Sequence, residues 1–120
     1  MLIRSQDKRM IVNFDNICTV SAFTEKDSED IYTEDGTGSL MVGRYSTKAK
    51  AMKVLDMIQE TYADFESAKI TSTGLATAAY TGSYDTPESV AGGIKVLKGY
   101  AEMIRESVVF QMPEDGSVEA

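Results

Sequence analysis

The sequence predicts an α+β domain in which an N-terminal antiparallel β-meander is packed by two α-helices and followed by a C-terminal edge strand. Two observations predict this class. Short apolar and β-branched runs separated by turn residues fill the first 45 positions, and two longer segments with helical spacing of apolar residues follow them. A chain of 120 residues suits one domain. We expect a single domain over residues 1–112 and a flexible acidic tail over residues 113–120.

The strands are predicted from runs rich in apolar and β-branched residues. These runs are Leu2–Ile3, Met10–Val12, Ile17–Phe23, Ile31–Thr33, Ser39–Tyr45 and Val108–Met112. The polar segment SQDKR between the first two runs is typical of a turn. Asp35 and Gly36 form a strong hairpin signal, because glycine accepts a positive φ. The first five runs therefore predict an antiparallel meander, and the sixth predicts a strand added to its edge.

The first helix is predicted from Thr47 to about Phe65, because apolar residues recur along one helical face. They are Ala51, Val54, Leu55, Ile58, Tyr62 and Phe65. The second helix is predicted from Thr86, a candidate N-cap followed by Pro87, to about Glu106. Its apolar stripe is Val90, Ile94, Leu97, Ala101 and Ile104. Glycines at positions 92, 93 and 99 indicate either close packing on a neighbour or a marginal helix.

Composition excludes several classes of function. A net charge of -7 makes the chain a poor ligand for duplex nucleic acid and suits a basic protein surface instead. The absence of histidine excludes catalytic triads and the usual catalytic zinc sites. The single Cys18 excludes an internal disulfide, and its apolar neighbours predict a small buried side chain. We predict no catalytic residue, no metal site and no cofactor. No segment has the length of a membrane span, and no signal peptide is visible, so we expect a cytoplasmic protein without membrane contact.

The stretch TSTGLATAAYTGSY, residues 71–84, carries no charge in a chain where 26% of residues are charged. It is either a plain connection between two helices or a segment that contacts a ligand or partner. Tyr80 and Tyr84 offer flat faces for stacking, and Thr81 offers a hydroxyl. Lys98 and Arg105 on the second helix would supply positive charge to a phosphate. These five residues form the predicted ligand site.

Three segments resemble a group of small proteins from phages and prophages of Gram-positive bacteria. They are IRSQD at Ile3–Asp7, the run from Gly43 to Ile58 that contains VLDMI, and FQMPE at Phe110–Glu114. The resemblance does not extend over residues 66–106. In architecture and length the chain is also similar to the Thoeris anti-defence sponge family. That similarity implies an oligomer that captures a cyclic ADP-ribose-type signal between its protomers through basic and aromatic contacts, without catalysis.

Three functions follow as hypotheses. The first is a phage counter-defence protein, not an enzyme, that sequesters a small cyclic nucleotide as a homo-oligomer. The second is an acidic inhibitor, similar to anti-CRISPR proteins, that binds a basic host defence protein. The third is a small structural or regulatory protein of a mobile element. The first requires converging Lys or Arg side chains at a pocket, whereas the second requires a broad acidic face.

Overall fold

The computed structural model describes the backbone of residues 1–80 and 87–119, and the side chains of these residues except those at positions 72, 75–80, 87, 89, 90 and 103. The described chain is α+β, as the sequence predicts. Its strands are β1 (Leu2–Arg4), β2 (Ile11–Asn13), β3 (Thr19–Thr24), β4 (Glu29–Glu34), β5 (Ser39–Tyr45) and β6 (Val109–Gln111). Its two α-helices are α1 (Lys48–Tyr80) and α2 (Pro87–Ser107). Short 3-10 turns lie at Phe14–Asn16 and Asp115–Ser117.

The strands form two three-stranded sheets, where the sequence predicted one meander. The first sheet has the order β2-β1-β6, and the second has the order β3-β4-β5. All neighbours are antiparallel except β1 and β6, which run parallel with Ile3 opposite Phe110. Hairpin signals are local in sequence, whereas this parallel pair joins residues more than a hundred positions apart and leaves no local signal. The prediction of β6 as an edge strand is confirmed.

The β4–β5 hairpin forms at the predicted position. Gly36 adopts a φ of +92°, which residues with a side chain rarely adopt. The Asp35 carboxylate accepts hydrogen bonds from the backbone N–H of Thr37 at 2.9 Å and from the Thr37 hydroxyl at 2.7 Å. This short polar side chain thus closes the turn beside the glycine that bends it.

Gln6 joins the first sheet to the second. Its backbone N–H donates to the carbonyl of Val42 in β5 at 2.7 Å. Its side-chain amide then pairs with the backbone of Arg44: Nε2 donates to the Arg44 carbonyl at 3.0 Å, and Oε1 accepts from the Arg44 N–H at 2.9 Å. Gln6 therefore occupies part of the outer edge of β5 and satisfies backbone groups there.

Residues 1–61 and 109–119 belong to one compact unit that contains both sheets and the start of α1. Its buried apolar side chains are Met1, Ile3, Ile31, Val42, Tyr45, Ala51, Val54, Ile58, Phe110, Met112 and Val118. Three of the predicted stripe residues of α1 lie in this core, which confirms the helical face read from the sequence. The Tyr45 hydroxyl donates to the Pro113 carbonyl at 2.8 Å, so the polar end of this buried ring is satisfied.

The segment predicted as an acidic tail makes defined contacts. The Asp115 carboxylate accepts hydrogen bonds from the backbone N–H and the hydroxyl of Ser46, at 2.7 and 3.0 Å. Lys50 donates to the Asp115 carbonyl at 3.0 Å, and Val118 is buried. These contacts tie residues 113–118 to the beginning of α1.

The first helix continues fifteen residues beyond its predicted end, from Phe65 to Tyr80. Ten residues of the uncharged stretch, positions 71–80, are therefore helical, and positions 81–84 lie outside the described residues. The hydroxyls of Thr71 and Thr73 donate to the carbonyls four residues earlier, Ser67 and Lys69, at 2.9 Å each. This bonding satisfies threonine within a helix, and alanine, which is frequent here, has the highest helix propensity.

Residues 62–108 form the second compact unit, with the end of α1 and all of α2. The predicted start of α2 at Pro87 is confirmed, and its predicted apolar stripe is partly wrong. Ile94 and Ala101 are exposed, whereas Gly93 and Ser107 are buried and Leu97, Tyr100 and Ile104 are half-buried. The less exposed positions are thus 93, 97, 100, 104 and 107, in alternating steps of four and three. A glycine and a serine contribute to this stripe, and a count of apolar residues does not detect them.

Cys18 is exposed, so its prediction as a buried side chain is wrong. It precedes β3, and its backbone N–H donates to the Glu34 carbonyl at 2.7 Å. We expect Cys18→Ala to change the free energy of unfolding by less than about 0.5 kcal/mol, because the substitution leaves this backbone bond intact and creates no cavity. Urea denaturation would check this value, and a loss of more than about 1 kcal/mol would contradict it.

Candidate ligand site

The five predicted site residues fall into three groups. Lys98 and Arg105 lie on α2, and both are exposed. Tyr80 is the last residue of α1, and its side chain is not among those described. Thr81 and Tyr84 lie outside the described residues. The proximity of the two tyrosines to the basic side chains therefore stays a prediction.

An open recess of about 480 Å³ runs along one face of α2. We call it the α2 recess, and the described residues that line it are Ala91, Ile94, Lys95, Lys98, Gly99 and Glu102. They recur every three or four positions, so they lie on adjacent turns of one helical face. This face is opposite the buried stripe that contains Gly93 and Leu97. The recess contains the predicted Lys98, while Arg105 lies one turn beyond Glu102 on the same face.

The α2 recess combines positive charge with an apolar surface. Lys95 and Lys98 are three residues apart, which places their ammonium groups on neighbouring turns. Gly99 carries no side chain, and an added Cβ there would meet nothing within 4 Å. Ile94 is 49% exposed and offers an apolar contact. Glu102 contributes one negative charge, so the described residues that line the recess carry a net charge of +1.

Sequence reasoning missed Ile94 as a site residue, because it assigned this side chain to the buried stripe. The spacing of residues along α2 contains the signal that would have placed Ile94 on the exposed side. If Gly93 is counted as a buried position, Leu97, Tyr100 and Ile104 follow it at steps of four, three and four, and Ile94 moves to the exposed side. Lys95 follows Ile94 directly and lies on the same exposed side of α2.

A second polar cluster lies on the outer face of the β3-β4-β5 sheet. The Arg44 guanidinium donates to both carboxylate oxygens of Asp30, from Nε at 3.0 Å and from Nη2 at 2.9 Å. The Ser28 hydroxyl donates to the same carboxylate at 2.9 Å. The Arg44 hydrogen bond, supported by Ser28, holds the pKa of Asp30 below its ordinary value, although burial acts in the opposite direction. Asp30 thus stays ionised at neutral pH, and its bonding to Arg44 and Ser28 indicates a structural role.

In the part of the chain that the structure describes, no group of three or more acidic or cysteine side chains is placed to hold a metal ion. Neither α1 nor α2, over its described residues, has an apolar stretch sufficient for a bilayer crossing. Comparisons with protein-family models, curated proteins and solved structures gave no match to this chain.

Proposed function

We propose that this protein is a non-catalytic binding protein that sequesters a small phosphorylated ligand of the cyclic-nucleotide class at the α2 recess. The observation that supports the proposal is the placement of Lys95 and Lys98 beside Ile94 and Gly99 in one recess. Two ammonium groups suit a phosphate, which accepts charge-assisted hydrogen bonds. An exposed isoleucine suits the apolar face of a base. A volume of about 480 Å³ lies in the range of known small-molecule sites.

The wider biological role is proposed from the resemblance to phage proteins. We place the protein in the cytoplasm of a bacterial host, as a homo-oligomeric counter-defence protein that lowers the free concentration of an immune signal. Sequestration requires affinity and abundance but no turnover. Lys98 and Arg105, from the predicted site, would both contact the ligand from the same face of α2, and Tyr80, Thr81 and Tyr84 would complete the site.

Titration calorimetry with a panel of cyclic nucleotides tests this function. We expect one of them to bind, and we expect heat denaturation of the complex to release it chemically unchanged. The variant Lys95→Glu/Lys98→Glu should weaken binding at least a hundredfold, since it removes two charge-assisted contacts and adds two repulsive charges. Lys48→Glu/Lys53→Glu is the matched control, because it makes the same charge change at two exposed lysines of α1 that do not line the α2 recess.

Three outcomes would contradict the proposal. They are a nucleotide that is recovered as a cleaved product, a double variant that binds as tightly as the wild type, and a panel of which no member binds. The last outcome, together with measured binding to a basic protein, would favour the alternative of an acidic inhibitor. Circular dichroism of the double variant must show an unchanged helix content, so that a loss of binding reports on the site.

A further inference from the structure

The two edges of the β3-β4-β5 sheet differ in how they are protected. At the β5 edge the register shifts opposite Ile31 and Tyr32, so β5 contains an extra residue, and Gln6 covers part of its backbone. β5 also carries the charged Arg44. The β3 edge has the sequence TVSAFT, which contains no charge and no proline. Among the described residues, no strand lies beyond β3.

Proteins normally protect an exposed edge strand, because its unpaired N–H and C=O groups form a template for another strand. The usual devices are a charged side chain, a proline, a bulge or a covering segment. β5 has a bulge, a charge and a cover, whereas β3 contains no charge and no proline and pairs with β4 without a register shift. Phe23 adds apolar surface at this edge: it is 48% exposed and packs edge-on against Tyr32 with ring centroids 5.7 Å apart. An edge of this kind indicates a partner strand.

We propose that β3 pairs antiparallel with β3 of a second copy of this chain, so that two β3-β4-β5 sheets form one six-stranded sheet. The distribution of charge favours a second copy of this chain as the partner. Two copies of a chain with net charge -7 repel each other overall, and β3 adds no charge to that repulsion. A neutral strand paired with its own copy places no like charges opposite each other. A two-fold axis is also the commonest symmetry of protein dimers.

The symmetry of this pairing fixes its geometry. An antiparallel pair of identical strands has its two-fold axis at the middle of the strand, here near Ser21 and Ala22. The Phe23 ring of each copy would then lie beside the Thr19 end of the other, which reduces its exposure. The side chains of β3 alternate between the two faces of the sheet, with Thr19, Ser21 and Phe23 on one face and Val20, Ala22 and Thr24 on the other. Each face of the sheet therefore continues across the two-fold axis.

Analytical ultracentrifugation of two matched variants tests this interface. Thr19 on β3 and Ser39 on β5 are the two cross-strand neighbours of Glu34, and both are exposed. Thr19→Lys and Ser39→Lys thus add the same charge beside the same carboxylate, but on opposite edges of the sheet. We expect a wild-type dimer at concentrations on the order of 10 µM, as for interfaces of moderate size. Thr19→Lys should raise the dimer Kd at least tenfold, and Ser39→Lys should leave it unchanged.

A distance measurement provides an independent readout. Cys18 is the single cysteine of the chain and lies directly before β3. Spin labels on Cys18 of both copies should give one distance, with the backbones about 20–26 Å apart, because each label lies three to four residues from the axis. A monomeric wild type, a dimer that both lysine variants leave intact, or a distance beyond about 40 Å would each overturn the proposal. Unchanged thermal midpoints of both variants would confirm that the sheet itself is folded.

Discussion

Arg44→Ala is expected to destabilise the protein at neutral pH and to lower the urea midpoint of unfolding. The Asp30 side chain is 1% exposed, and among the described residues the substitution would leave its carboxylate with the Ser28 hydroxyl as its one side-chain donor. Burial of a charge without its partner is costly. Because the Arg44 side chain is 61% exposed, the expected loss is below that of a fully buried ion pair. The backbone bonds between Arg44 and Gln6 do not depend on the guanidinium. Urea denaturation at pH 7 measures the loss.

The pH dependence of this loss has a definite sign. In the wild type the pKa of Asp30 is lowered below 3.8, so the stabilisation by the ion pair is present above that pH and is lost as the pH falls through the lowered value. The difference between wild type and Arg44→Ala should therefore shrink below about pH 4. At pH 7, Asp30→Asn/Arg44→Ala should be more stable than Arg44→Ala, since asparagine carries no charge. A double variant less stable than Arg44→Ala would contradict this account.

Gly43→Ala is expected to destabilise the protein by about 1–3 kcal/mol through overpacking. A Cβ at this position would lie 2.9 Å from Cε of Met112 and 3.0 Å from the ring of Tyr45. Met112 can move its terminal methyl. The Tyr45 ring is fully buried and its hydroxyl is bonded to Pro113, so a shift of the ring would strain this hydrogen bond and the surrounding packing. Thermal unfolding followed by circular dichroism measures the effect.

Gly38→Ala is the control for this substitution. Gly38 precedes the same strand, but an added Cβ there would meet nothing within 4 Å. We expect a change within about 0.5 kcal/mol for Gly38→Ala. If the two variants lose the same stability, the effect at Gly43 comes from backbone entropy or strand propensity, and the close packing around Tyr45 is not its cause.

Local patterns in the sequence predicted most of the strands and both helix starts. Ser39–Tyr45 forms β5 with the predicted bounds, and Pro87 begins α2 as predicted. The arrangement of the strands in two sheets joined through Gln6 could not be predicted in this way, because it depends on the parallel pairing of β1 with β6 and on the hydrogen bonds of Gln6. Both are contacts between distant segments. The end of α1 was misplaced because threonine and glycine in residues 71–80 indicate a loop, whereas the threonine hydroxyls bond within the helix.

Charged residues indicated the exposed face of α2 more accurately than the pattern of apolar residues did. Lys98 and Arg105 are exposed on one face of α2, and Lys98 lines the α2 recess, as a phosphate-binding role would need. Ile94 was assigned to the opposite face because the glycine at position 93 carries no hydrophobic signal. The prediction of which face of α2 is buried therefore depends on Gly93, and a glycine adds nothing to a pattern of apolar residues. Tyr80, Thr81 and Tyr84 remain predictions.

The pairing of β1 with β6 has a consequence for biosynthesis. Residues 2–4 are translated more than a hundred codons before their parallel neighbour, residues 109–111. The hairpins from β3 to β5 are local and can form while the chain is still being made. In the first sheet, one side of β1 therefore stays unpaired until β6 has been translated. We expect nascent chains that stop before residue 109 to expose the apolar Ile3, and hence to be the species that chaperones bind during synthesis.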